Sequence, residues 1–176
     1  MRTVLQHCQI EYDPQHAGIL LGLDAKEYGL GSQHAQIPEG VFAAKSDIHV
    51  TLLGSRVGRS LRPGLVASIA EQAARRCWQV LLGKDFWLLT NPHPGPGKTV
   101  ASIIRMVEVP GLVEFIEAVN RQYKLGLPIP PTHITLYLQG GGPGIGLDTD
   151  AHCQALRQRK LASIDLPGRI SPQHHV

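Results

Sequence analysis

The spacing of apolar residues changes period several times along the chain, and each change marks an element. Residues 17–23 (AGILLGL) form a continuous apolar run bounded by Pro14 and Asp24, which predicts a buried strand. Residues 24–40 contain glycines and a proline with weak periodicity and read mainly as loop. IHVTLL at 48–53 alternates as a strand does. Ser60 is a candidate N-cap, and Leu65, Ile69 and Ala73 recur every fourth position after it, predicting a helix with Arg75 and Arg76 in its last turn. WQVLL (78–82) and FWLLT (86–90), separated by Gly83-Lys84-Asp85, predict a hairpin with a three-residue loop. The Pro/Gly segment NPHPGPGK (91–98) leads into a long β-branched strand, TVASIIRMVEV (99–109). Pro110 then sits at a helix start, with Leu112, Phe115, Ile116, Val119 and Tyr123 on one face before Gly126 ends the helix. A Pro-rich turn, LPIPP, precedes the strand PTHITLYL (131–138), and the cluster GGGPGIG (140–146) follows it. Asp148 to Lys160 reads as a last helix, LASIDL (161–166) as a last short strand, and residues 167–176 as a tail.

This order predicts an α+β class with mostly antiparallel strands, in a single domain spanning 1–176 whose ordered core runs from about 17 to 166. The strands at 48–53 and 131–138 each have a helix in their own half of the chain, the layout of a duplicated lobe.

Composition narrows the function classes. With 43% hydrophobic and 18% charged residues the chain reads as a soluble globular protein, and a formal net charge of +3 is far from the clustered basic surface of a duplex-DNA binder. Cys8, Cys77 and Cys153 are widely spaced, which indicates neither a disulfide framework nor a zinc ribbon. The first residues lack a leader-like apolar stretch, and no run is long enough for a membrane span, so a reducing, cytoplasmic setting is expected. No membrane association is expected, and a monomer is.

The chemistry concentrates in a phrase written twice, His-x-Thr-Leu at His49–Leu52 and again at His133–Leu136. Shuffling this composition gives about 0.05 occurrences of that pattern, so two demand a reason. Strand alternation puts His49 and Thr51 on one face with Val50 and Leu52 on the other, and likewise groups His133, Thr135 and Tyr137 against Ile134, Leu136 and Leu138. Two such strands across a groove would bring two imidazoles and two hydroxyls to one point. That set suits displacement at a phosphodiester: one imidazole takes the proton of the attacking oxygen and the other protonates the leaving oxygen. The threonines donate to the non-bridging oxygens as charge builds there. No cofactor and no metal are expected, since no carboxylate cluster stands at ligand spacing.

In IHVTL and THITLY the chain resembles the two-histidine (2H) phosphoesterase superfamily, which includes RNA 2′,3′-cyclic phosphodiesterases of the 2′-5′ RNA ligase type. The resemblance covers roughly residues 17–140 by order of elements. It implies a bilobal fold of two mostly antiparallel sheets, with helices packed outside and a central cleft. It implies metal-independent hydrolysis or opening of a cyclic phosphate or phosphodiester on a nucleotide or RNA end. His49 and His133 carry over as catalytic residues, and Thr51, Thr135 and Tyr137 as substrate-binding residues.

Two rivals use the same histidines. One is a binding module that holds a nucleotide or RNA end without cleaving it; the other is a histidine-ligated metalloprotein, which would want further ligands. Elsewhere, His93 reads as a loop residue, and His7, His16, His34 and His152 have no spaced partners. His174 and His175 belong to the tail. Lys98 and Arg105 fall on opposite faces of a regular strand, so at most one would look into a cleft. Trp78, Phe86 and Trp87 read as packing residues, with Trp87 the best placed for exposure. The glycine cluster at 140–146 lacks a phosphate-loop fingerprint and reads as a plain loop beside the second motif.

Overall fold

The computed structural model describes residues 4–5, 8–26 and 34–162. It is a mixed α/β fold with two antiparallel sheets and few helices. Strands β1 (Val4–Leu5), β2 (Gln9–Asp13), β3 (Gly18–Gly22), β4 (His34–Ile37), β5 (Gly40–Ala44) and β6 (His49–Leu53) come first. Helices α1 (Ser55–Arg59) and α2 (Pro63–Ala74), strands β7 (Val80–Thr90) and β8 (Thr99–Glu108), and helix α3 (Leu112–Tyr123) follow. Strand β9 (His133–Gly140), helix α4 (Asp150–Leu156) and strand β10 (Arg157–Leu161) complete the order. The larger sheet runs β1-β7-β8-β9-β5-β4, with β10 also on β7; the smaller is β2-β3-β6. No helix among the described residues is long and apolar enough to cross a membrane.

The helices form where the apolar spacing places them. Val66, Ile69, Ala70 and Ala73 make the buried face of α2, and Leu112, Phe115, Ile116 and Val119 that of α3. Trp78 fastens the two together. Its ring meets Phe115 edge-on at 5.5 Å, and its Nε1–H donates to the Ala73 carbonyl at 2.8 Å. That carbonyl belongs to the last turn of α2 and also accepts the Arg76 N–H at 3.1 Å, so Trp78 adds a second donor at the helix end. Helix α2 starts at Pro63 after Arg62; Ser60, expected as its N-cap, instead closes α1, and Arg75 is the C-cap of α2.

Three expectations about strands are corrected. Residues 78–90 do not form a hairpin. Val80–Thr90 is one strand against β8, and the chain reverses at the Pro/Gly segment 91–98. Gly83-Lys84-Asp85 is an irregularity in that strand: Leu82 pairs with Val107 and Phe86 with Arg105, so β7 advances four residues while β8 advances two. Arg105 holds the distortion by donating from Nε to the Gly83 carbonyl at 2.7 Å. The segment 24–40 is not simply loop, because it contains β4 and enters β5. Ala35, Ile37 and Phe42 are buried there, but Gly and polar neighbours dilute the alternation; residues 27–33 lie outside the described residues. Finally, the last helix ends at Leu156, and 157–161 extends along β7. The strand expected over 161–166 and the tail lie almost wholly outside the described residues.

Helix α1 follows β6 immediately and packs on the turn between β2 and β3. The fit is close at Gly58, where a Cβ would lie 1.7 Å from the Ala17 carbonyl oxygen. A backbone atom cannot step aside cheaply, and Ala17 is itself held at φ 53° by the turn. Gly58→Ala is therefore expected to destabilise the protein by about 1–3 kcal/mol, as overpacking does, read as a lower urea midpoint.

Candidate functional site

The two motif strands belong to different sheets, β6 to the smaller and β9 to the larger, and they run close to one another. Between them lies an open cleft of ≈ 510 Å³ whose walls include His49, Thr51, His133 and Thr135. All four expected polar groups of the two His-x-Thr motifs thus line one space.

Local backbone geometry explains why the phrase ends in leucine. On β3, the partners Ile19 and Leu20 are adjacent, yet they pair with Leu53 and Thr51 of β6, so Leu52 is an extra residue. On β8, Ile103 and Ile104 are adjacent but pair with Tyr137 and Thr135, making Leu136 the extra residue of β9. Each motif therefore has a β-bulge one position after its threonine. A bulge shifts the alternation by one residue. His and Thr face the cleft, and then two consecutive apolar residues are buried: Leu52 and Leu53 in one strand, Leu136 and Tyr137 in the other.

The bulge also corrects the expected role of Tyr137. Uninterrupted alternation would put it beside His133 and Thr135. Paired with Ile103 beyond the bulge, it is instead 2% exposed in the main core and is not part of the cleft wall. Leu138, next along the strand, packs under the glycine loop, its Cδ2 3.8 Å from where a Cβ on Gly144 would lie.

Both imidazoles are oriented in the same way. His49 Nδ1 lies 3.1 Å from the Asp47 carbonyl, and His133 Nδ1 lies 2.8 Å from the Pro131 carbonyl. A carbonyl only accepts, so each Nδ1 carries the proton and donates it two residues back. In each neutral ring Nε2 is then the nitrogen left to gain or lose a proton. His133 is buried and His49 half-buried. Both are held below the ordinary histidine pKa. For His133 burial is the main cause; positive charge at His49 and Arg157 adds to it, and the Pro131 carbonyl opposes it. For His49 burial again leads, followed by the Lys45 ammonium, while Asp47 and the Glu11 carboxylate pull the other way.

The remaining walls come from segments given little weight in the sequence. Arg56 and Arg59 of α1 contribute cationic side chains at the rim, Arg56 being 3.3 Å from Asp148. The glycine cluster forms the opposite wall through Pro143–Leu147. Gly144 has φ 119°, and a Cβ on it would lie 3.6 Å from Thr135 Oγ1, so the loop passes directly over the second motif. Thr99 pins this loop: its hydroxyl donates to the Gly141 carbonyl at 2.8 Å and accepts from the Gly144 N–H at 3.2 Å. His16, read as a plain surface residue, also lines the cleft, with Nδ1 against the Asp13 carboxylate. Only its position in the turn before β3 could have signalled this.

Other candidates fall elsewhere. Arg105 is engaged with Gly83 and stacked on Phe86, and Lys98 and His93 are exposed on the β7–β8 connection. Trp87 lies under the Arg157 guanidinium, 4.6 Å from ring centre, in a smaller core with Leu89, Ile104, Leu147 and Cys153. His34 and His152 are outside the cleft wall, and His7, His174 and His175 lie outside the described residues. Among the described residues no three His, Cys, Asp or Glu side chains are grouped as a metal site. No family model, curated protein or solved structure matches the chain.

The two lowered histidine pKa values link folding to pH. The native state prefers both rings neutral, so the unfolded chain binds more protons as pH falls below about 6.5. Their contribution is full above that pH and is lost as pH falls through the native values. The melting temperature is expected to drop between pH 7.5 and 5, above the usual carboxylate range. His133→Gln should flatten that dependence, and thermal scans across the pH series check it.

Proposed function

We propose that the chain is a metal-independent phosphodiesterase of the two-histidine type, opening a cyclic phosphate on a nucleotide or RNA end. One observation carries the reading: imidazoles from two sheets border the same cleft, each with Nδ1 tied to a main-chain carbonyl and each two residues from a cleft-facing threonine. The matching bulges at Leu52 and Leu136 support a pseudo-symmetric, bilobal arrangement like that of the 2H phosphoesterases.

In this reading water attacks phosphorus while Nε2 of one histidine takes its proton. The bond to the leaving ribose oxygen breaks on the opposite side, and Nε2 of the other histidine delivers a proton to that oxygen. The product is a phosphomonoester, and one proton has passed from the acid to the leaving oxygen while another has been collected by the base. Thr51 and Thr135 hydroxyls donate to the two non-bridging oxygens, whose charge rises in the transition state. Arg56 and Arg59 stand at the rim, Arg56 beside Asp148, where a guanidinium can reach an anionic substrate. No step so drawn calls for a metal ion. The wide spacing of Cys8, Cys77 and Cys153 along the chain fits a reducing, cytoplasmic setting.

The test is a panel of 2′,3′-cyclic, 3′,5′-cyclic and 2′-5′-linked substrates assayed with and without EDTA. Turnover of at least one compound is expected, unchanged by chelator. His49→Ala or His133→Ala should each lower kcat about 10²–10⁴-fold without unfolding the protein. Tight binding with no product from the intact protein would instead identify a binding module, and loss of turnover with EDTA would move the chemistry to a metal. Because both histidine pKa values are lowered, the bell-shaped profile of kcat/KM should centre below pH 6.5.

A further inference from the structure

The mechanism above leaves one buried charge unused. Lys45 follows β5, and its side chain is only 3% exposed. Its Nζ donates to the Asp47 carbonyl at 2.7 Å and pairs with the Asp47 carboxylate at 2.5 Å. The same carbonyl accepts the Nδ1–H of His49. Two donors therefore converge on one oxygen, and one of them is a fixed cation. An ammonium is taken out of water only where several polar partners compensate it, and here those partners are the group that orients a motif histidine.

The backbone of Lys45 reaches in the other direction. Its N–H donates to the Leu136 carbonyl at 2.8 Å, and Leu136 is the bulge residue of the second motif. Thus one residue is bonded through its main chain to the His133 strand and through its side chain to the carbonyl that holds His49. Pro131, the acceptor for His133, has no lysine in this relation among the described residues.

We propose that Lys45 is the positioning residue that seats His49 against His133. The catalytic meaning of that role rests on the reading under Proposed function. The charged and titratable groups facing His49 are Lys45 and Asp47 from its own approach, Glu11 from β2 and His133 from β9. His16, Arg56, Arg59 and Asp148 stand around the shared cleft. Of these, only Lys45 is a buried cation on the histidine's own acceptor.

The experiment is an NMR titration of the histidine rings in the full chain, paired with kinetics. In Lys45→Met, removal of the cation should move the His49 titration to higher pH, with His133 displaced far less. kcat should fall roughly 10- to 100-fold with KM within about threefold, as for a misplaced catalytic group. Lys45→Arg, which keeps the charge, should leave the His49 titration close to wild type. If Met and Arg behave alike, charge is not the agent and the inference falls. Asp47→Asn provides a variant at an exposed side chain should Lys45→Met fail to fold; loss of the carboxylate should shift His49 to lower pH, and an unchanged or raised titration overturns the inference. A wild-type protein without turnover overturns the reaction reading alone, since the titrations still judge Lys45. A turnover-competent enzyme whose His49 titration and kcat ignore Lys45→Met overturns this inference alone.

Discussion

The geometry depends on one extra backbone residue in each motif strand. A regular strand that offers a histidine and a threonine to a cleft must keep offering alternate side chains to it. The bulges at Leu52 and Leu136 end that obligation after two residues and turn the next two side chains into the core. Each strand is thereby open at its start and sealed at its end. The leucine of the repeated phrase is therefore structural, and the histidine and threonine are left free to act.

That division was only partly legible in the residues. Alternation correctly put His49, Thr51, His133 and Thr135 on polar faces, and the apolar periods located α2, α3 and β8. A bulge, by contrast, inserts no telltale composition: Leu136 is as ordinary in a regular strand as in a distorted one, so Tyr137 was assigned to the wrong face. The same blindness made a hairpin loop of Gly83-Lys84-Asp85, because a glycine and two charged residues suit a turn and a bulge alike. Strands β4 and β5 were hidden by glycine and polar neighbours that dilute their alternation. Lys45 and His16 depend on tertiary placement, since neither has a motif of its own.

Electrostatically, the two histidines share a design with unequal surroundings. Each gives its Nδ1 proton to a carbonyl two residues earlier, which sets the ring by local backbone alone. His133 is then governed mostly by burial, whereas His49 sits between a buried ammonium and two carboxylates, those of Asp47 and Glu11. Glu11 reaches this position across Gly22, where a Cβ would lie 2.0 Å from its Oε1. A small residue opposite a motif histidine thus serves the charge balance of the cleft.

The irregularity in β7 has a consequence at the sheet margin, remote from the cleft. Strand β1 covers this long strand at Val80 and Leu81, and β10 covers it from Phe86 to Leu89. Among the described residues, the stretch between these two covers coincides with the distorted residues 83–85. There the backbone departs from a flat ladder, and Asp85 is engaged by Lys160 of β10. An uncovered, regular margin of that length would be a template for another molecule's strand, whereas a twisted and charged one resists such pairing. The same three residues that obscured the sequence pattern therefore give this stretch of the margin the irregular, charged character that disfavours pairing with another strand.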